Sequence, residues 1–241
     1  HDSDVRLEVQ TLMRERANGT FLWVALVIKE LGKVQAWRVL ETVQKVPPSL
    51  SELYKLILTQ VQQQQDWEYC RLVLSVATLA YRPLHIAELA VLSGLPQEIS
   101  TNLSYVRSIV ALCGSFLTIQ EDDVVYLIHQ SVKDYLSERV TGEGFPNGRT
   151  QTHRDIVRQS LQAMRQTLQR NMYGLQQPGI SIDEIKIPNP DPLLSIRYSC
   201  VYWIDHFCDF SSTGGFHNRD QLEDNSISQF LRQFCLYWLE S

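Results

Sequence analysis

The stretch Val124–Leu136, V-V-Y-L-I-H-Q-S-V-K-D-Y-L, changes its hydrophobic period halfway along, so any fold that holds it must turn from strand to helix at one point. The β-branched start suits a half-buried strand. Ile128, Val132, Tyr135 and Leu136 then recur at i, i+4, i+7 and i+8, one face of an amphipathic helix. His129 stands at the changeover. Ser131 is placed to cap the new helix, with Asp134 three residues on as its capping-box partner. A histidine here has two readings. It is a packed or capping group, as polar residues at helix starts commonly are, or a functional group that needs company from elsewhere in the chain.

Two short β runs, Phe116 to Gln120 and Val124 to Ile128, flank Glu121-Asp122-Asp123 and read as a hairpin. Three helical patterns precede them. Trp67 to Tyr81 is apolar on several faces, and Arg82-Pro83-Leu84-His85 breaks it. Ile86 to Ser93 is a short helix closed by Gly94, and Leu103, Val106, Ile109, Val110 and Cys113 share one side of a third. Three helices, a two-stranded wing and another helix is the order of a winged-helix domain, assigned to residues 66–140.

Residues 1–65 read as the end of a larger core and a small helical domain. Val5, Val9, Leu12 and Met13 make a stripe that stops near Ala17-Asn18-Gly19. Phe21 to Ile28 is apolar nearly all round and is expected to be buried. A helix over Ala36 to Lys45 ends at Pro47-Pro48. Ser49 and Glu52 form a capping box, and Leu50, Leu53, Tyr54, Ile57, Leu58 and Val61 follow as a clean amphipathic face. Gln62 to Gln65 mark the boundary, and Asp66 is placed to cap the next helix.

Residues 141–241 read as a C-terminal helical region. Thr141 to Arg149 is a linker; Val157, Leu161, Met164, Leu168 and Met172 share a face of a long helix. Gly174 to Pro192 is irregular. Leu193 to Phe210 carries apolar stripes on two faces and is expected between neighbours, with a loop over Ser211 to Asp220. Ile227, Phe230, Leu231, Phe234 and Trp238 line the last helix; that face packs near Trp203 or, left open, binds a partner. The expected class is mainly α: helical domain, winged helix with a small hairpin wing, and C-terminal helices.

Composition narrows the function. In 241 residues, 44% hydrophobic and 10% aromatic content supports real cores and excludes global disorder. A net charge of −5 argues against a general nucleic-acid or anionic-membrane binder. Cys70, Cys113, Cys200, Cys208 and Cys235 are odd in number and scattered, which suits reduced cytosolic thiols. Nothing resembles a signal peptide, and Phe21 to Ile28 falls far short of the ~18 apolar residues of a membrane span. A cytoplasmic protein is expected. The abrupt start at His1 and stop at Ser241, each beside a helical pattern, read as a piece of something larger.

No G-x-x-x-x-G-K-[ST] phosphate loop, G-x-S-x-G, H-E-x-x-H or C-x-x-C is present, so the chain alone is not expected to be an enzyme, and no catalytic residue is assigned. Cys200, His206 and Cys208 lack helical ligand spacing and a fourth ligand, so no metal site is assigned. The candidate recognition helix, Thr101 to Cys113, offers Arg107 as its single cation, too few for phosphate contacts to DNA.

Several strings together resemble the NACHT-type STAND receptors of filamentous fungi, the heterokaryon-incompatibility branch of NOD-like signalling NTPases. They are A-N-G-T-F-L-W-V-A-L-V from Ala17, V-P-P-S-L-S-E-L-Y from Val46, L-A-Y-R-P-L-H-I-A-E-L-A from Leu79, L-C-G-S-F-L-T-I from Leu112 and L-I-H-Q-S-V-K-D-Y-L from Leu127. D-P-L-L-S-I-R-Y-S-C-V-Y-W-I-D-H from Asp191 and F-L-R-Q-F-C-L-Y-W-L-E from Phe230 look like the segment that follows the winged helix in such proteins. The resemblance implies the regulatory half of an innate-immunity-type switch, whose partner is the NTPase core of the same polypeptide and which oligomerises on activation. It implies ADP or ATP only in a complete parent and no cofactor for this chain alone. By that resemblance His129 matches the histidine of a Met-His-Asp-type motif that contacts the β-phosphate of ADP, with Gln130 in place of the aspartate. Gly19, Thr20 and Phe21 match a Gly-Leu-Pro-type turn against the adenine, with Phe21 in place of the proline. The alternatives are a self-standing adaptor that binds through Phe230, Phe234 and Trp238 without nucleotide, and a winged helix that binds DNA.

Overall fold

The computed structural model describes residues 2–17, 20–32, 34–140, 148–175, 181–212 and 221–241. Helices α1 (Asp2–Arg16), α2 (Phe21–Leu31), α3 (Val39–Lys45) and α4 (Leu50–Gln62) come first. Then follow α5 (Trp67–Leu79), β1 (Leu84–His85), α6 (Ile86–Leu92), α7 (Gln97–Ser100), α8 (Leu103–Leu112), β2 (Leu117–Ile119), β3 (Val124–Leu127) and α9 (Gln130–Val140). The last are α10 (Gly148–Thr167), α11 (Arg197–Ser212) and α12 (Gln221–Leu239). The chain is mainly helical, in winged-helix order from α5 to α9.

Local chemistry explains most starts and stops. The Ser49 hydroxyl accepts the Glu52 amide at 3.2 Å and so caps α4, whose Leu53, Tyr54, Ile57, Leu58 and Val61 are all buried. Glu52 answers through its carboxylate, which accepts the Ser49 hydroxyl at 3.1 Å. Asp66 precedes α5 but gives it no side-chain cap. Gly94, at φ +63, takes the left-handed conformation that ends the turn after α6 at no steric cost.

The wing is a hairpin of β2 and β3, paired Leu117 to Leu127 and Ile119 to Val125. A strand joins it where the pattern Arg82-Pro83-Leu84-His85 predicts only a break: Leu84 pairs with Val125 and His85 with Val124, giving the order β1-β3-β2. Two residues are too few to display a period, so only the pairing defines β1.

Three other expectations change. Helix α2 is not buried all round: Trp23, Leu26 and Val27 are covered, while Phe21 is 92% and Ile28 57% exposed. Uniform apolarity names no inward face; the indole of Trp23, donating to the Pro47 carbonyl at 2.8 Å, fixes it. The linker ends sooner than Arg149, because Gly148 and Arg149 already belong to α10, and residues 141–147 lie outside the described residues. Ser211 and Ser212 close α11 rather than open a loop, and residues 213–220 also lie outside the described residues.

Buried side chains gather in two clusters. The first joins α2, α4, α5, α6, α8, the strands and α9, with Ile156 of α10 and Tyr198 of α11 reaching into it. The second holds Val157, Leu161 and Met164 of α10, Trp203 of α11 and Phe230 of α12. Helix α11 is therefore sandwiched, as its two stripes predict. The aromatic face of α12 turns inward at Phe230, which meets Trp203 edge-on at 5.8 Å and stacks on the half-buried Phe234 at 5.9 Å, while Leu231 is exposed. Trp238 lies 5.6 Å from Trp203 and donates its indole N–H to the Cys200 carbonyl at 2.8 Å.

Phe230→Ala empties a fully enclosed position and is expected to cost about 3–5 kcal/mol of unfolding free energy in denaturant titration. Leu236→Ser, at a side chain 79% exposed on the same helix, is expected to stay within about 0.5 kcal/mol of wild type. Equal effects would contradict this packing.

Candidate functional site

Helix α9 starts on a histidine cap. Nδ1 of His129 accepts the Ser131 amide at 3.1 Å, and its carbonyl accepts the Val132 amide at 3.1 Å. The capping box expected of Ser131 and Asp134 is not made; Ser131 already lies inside the helix, and Asp134 receives the Gln130 amide side chain at 3.0 Å. The helix begins two residues earlier than that reading needs, because an imidazole nitrogen can accept an orphan amide as a serine hydroxyl does. The Ser131 hydroxyl lies 2.8 Å from Nδ1 of His129 and 2.9 Å from the hydroxyl of Tyr54, a buried residue of α4.

This geometry settles the tautomer of the neutral ring. A main-chain amide can only donate, so Nδ1 accepts and the proton resides on Nε2. His129 is exposed and presents Nε2–H outward at the edge of a cleft of about 270 Å³. The turn Ala80–Leu84 and the residues Tyr126, Gln130 and Lys133 complete the rim, and among the described residues no carboxylate lines it. Arg82 is on the rim, but both its terminal nitrogens are held by the buried carboxylate of Glu88 at 2.7 and 2.8 Å.

Behind the cleft a hydrogen-bond chain runs from Tyr81 to His153. The Tyr81 amide donates to the Tyr198 hydroxyl at 3.0 Å, and that hydroxyl lies 2.7 Å from Nε2 of His206. Nδ1 of His206 is in turn hydrogen-bonded to Nδ1 of His153 at 2.7 Å. Nε2 of His153 faces Asp209 at 3.6 Å, beyond hydrogen-bond reach, and Asp209 accepts the Tyr81 hydroxyl at 2.9 Å. Burial pushes His153 down to about 4 and His206 down to about 3, in the second case with help from the neighbouring imidazole. Burial raises Tyr198 and Tyr81, the latter also through its bond to Asp209.

Thr20 and Phe21, the other predicted site residues that the structure describes, do not line this cleft. Thr20 is the extended residue before α2, at φ −95 and ψ 101, and Phe21 is almost fully exposed. Gly19 lies outside the described residues. His206 is committed to His153 and Tyr198, while Cys208 is exposed and Cys200 half-buried, so the three face different surroundings. Among the described residues no His, Cys, Asp and Glu group is arranged to hold a metal, and no helix is long and apolar enough to cross a membrane. Arg107, the cation of the candidate recognition helix, is paired with Asp123. Sequence reading missed His153 as the partner of His206 and Tyr54 as the partner of Ser131, since those pairs meet only through folding.

Comparison with known proteins bears on the whole arrangement. The chain is 40% identical over 256 aligned residues to the vegetative incompatibility protein HET-E-1 of Podospora anserina. The chain is homologous to a segment of a fungal NACHT-type incompatibility protein. It is covered completely but spans only 19% of that protein's length. The winged helix domain family of GPI inositol-deacylase matches residues 56–145, which contain α5 to α9 and His129. No solved structure matches. The family resemblance read from the sequence strings is thus borne out, and the winged helix with it.

Two measurements test this geometry. In ¹⁵N-resolved spectra the neutral His129 ring is expected to show a protonated Nε2 and an acceptor Nδ1; the opposite pattern would break the cap. Acid is expected to weaken the fold. Unfolded histidines take up protons near 6.5 and the folded pair only near 4 and 3, so stability is complete above pH 6.5 and drains as pH falls through that window. Denaturant titrations at pH 7 and pH 5 are expected to differ by at most about 2 kcal/mol per histidine, and identical midpoints would contradict the buried neutral pair.

Proposed function

We propose that this chain is the regulatory portion of a nucleotide-switched signalling NTPase. Its winged helix closes on the NTPase core of the same polypeptide when ADP is bound, and exchange for ATP releases it for oligomerisation. The observation that carries the reading is the fixed imidazole of His129. Its Nδ1 is occupied by the start of α9, so Nε2–H is a preset donor at the edge of a cleft that no carboxylate of the described residues lines. A donor held in place before the ligand arrives makes a stronger contact to a phosphate oxygen than one that must first be ordered. A phosphate contact across a domain boundary favours the closed state only by its difference in affinity between closed and open forms. The Ser131 hydroxyl ties this donor to Tyr54 of α4, so the helices before residue 65 and the winged helix share one hydrogen-bonded junction.

Phe21, with its ring in the open, and Thr20 fit an adenine-facing surface by shape and apolar contact, which is all the replacement of the proline leaves. The adaptor reading is less favoured, because Phe230 is buried and Phe234 and Trp238 are half-buried against Trp203 and one another. DNA binding is not favoured either, with Arg107 held by Asp123. The relative's printed name, a vegetative incompatibility protein, agrees with a role in recognition and signalling.

The deciding experiment uses the complete receptor purified with its endogenous nucleotide. His129→Ala is expected to cut co-purified ADP by about tenfold, the worth of one hydrogen bond to a charged group, and to raise spontaneous signalling. Unchanged ADP occupancy would remove the role assigned to His129.

A further inference from the structure

The cleft beside His129 contains a cation that packing does not explain. Lys133 follows one turn along α9, half-buried, and its hydrogen bond among the described residues goes to the main-chain carbonyl of Ala80 at 3.0 Å. Neighbouring Arg82 is neutralised by Glu88, and among the described residues no acidic side chain lines the cleft. Burial, then the nearby charge of Arg149, hold the Lys133 ammonium below its usual range, with Asp134 opposing weakly. An ammonium drawn out of water with no counter-charge in contact destabilises the fold, and such an arrangement persists where a ligand offsets it.

We propose that Lys133 is the second phosphate ligand of this cleft, beside His129, and that the group it receives is the diphosphate end of a nucleotide. Residues at i and i+4 stand on one helix face with Cβ atoms ~5–6 Å apart, a spacing that lets two donors take oxygens of neighbouring phosphates. The cleft of about 270 Å³ suits a small multivalent anion, and Thr20 and Phe21 lie outside it, so the base is held elsewhere. For the identity of the anion the inference rests on the switch reading of His129.

Isothermal titration of this chain with inorganic diphosphate, ADP and adenosine at constant ionic strength tests it, with the His129 ring resonances as a second readout. Diphosphate and ADP are expected to bind and to shift those resonances, and adenosine is not. Lys133→Met is expected to raise both dissociation constants about tenfold or more. Lys45→Met, at an exposed lysine paired with Glu41, is expected to leave them unchanged. Without ligand, Lys133→Met is expected to unfold no earlier than wild type, which separates lost binding from lost folding.

Wild-type affinity in Lys133→Met, no diphosphate binding by the wild type, or an equal loss in Lys45→Met overturns the inference. Diphosphate binding without ADP binding overturns its nucleotide identity. If Lys133→Met loses diphosphate here while His129→Ala keeps ADP in the complete receptor, the switch reading falls alone. The reverse pattern removes Lys133 and leaves that reading standing.

Discussion

A buried carboxylate holds the centre of this molecule together. Glu88 is 2% exposed, and burying an ionised group costs several kcal/mol unless hydrogen bonds and an opposite charge repay it. Here it accepts both arms of Arg82, the main-chain amide of His85 and the main-chain amide of Tyr198. Those partners come from the turn before β1, the start of α6 and the start of α11. One side chain thereby fixes the winged helix to the helices that follow it. It also sets the rim of the cleft, since Arg82, Pro83 and Leu84 hang from the same turn. The guanidinium of Arg82 lies over the Tyr198 ring at 5.2 Å, so even its apolar face serves the junction.

Much of this was legible in order along the chain. The face of α4, the Ser49 cap, the hairpin and the aromatic stripe of α12 each announce themselves by period or by a capping residue. What escaped has a common cause. Strand β1 is two residues long and helix α7 four, too short for any period. The exposed side of α2 carries the same residue types as its buried side, so only Trp23 finding the Pro47 carbonyl separates them.

The site divides in the same way. His129 stood out because the period changes there, and its cap is a local event between neighbours. Tyr54, 77 residues away from Ser131, and His153, 53 residues from His206, are brought to their partners by the packing of whole helices. Nothing in the local sequence around His153 distinguishes it from a solvated helix residue. Lys133 was visible as the i+4 neighbour of His129, but its meaning depends on the described residues placing no carboxylate in the cleft lining.

The cap on α9 has an evolutionary consequence. Its donor is the peptide N–H of residue 131, which every amino acid but proline supplies, so the side chain at position 130 contributes nothing to how the imidazole is aimed. The Gln130 side chain turns instead to Asp134 one turn along the helix. Exchange of that side chain therefore leaves the pointing of the histidine intact, without rebuilding the joint.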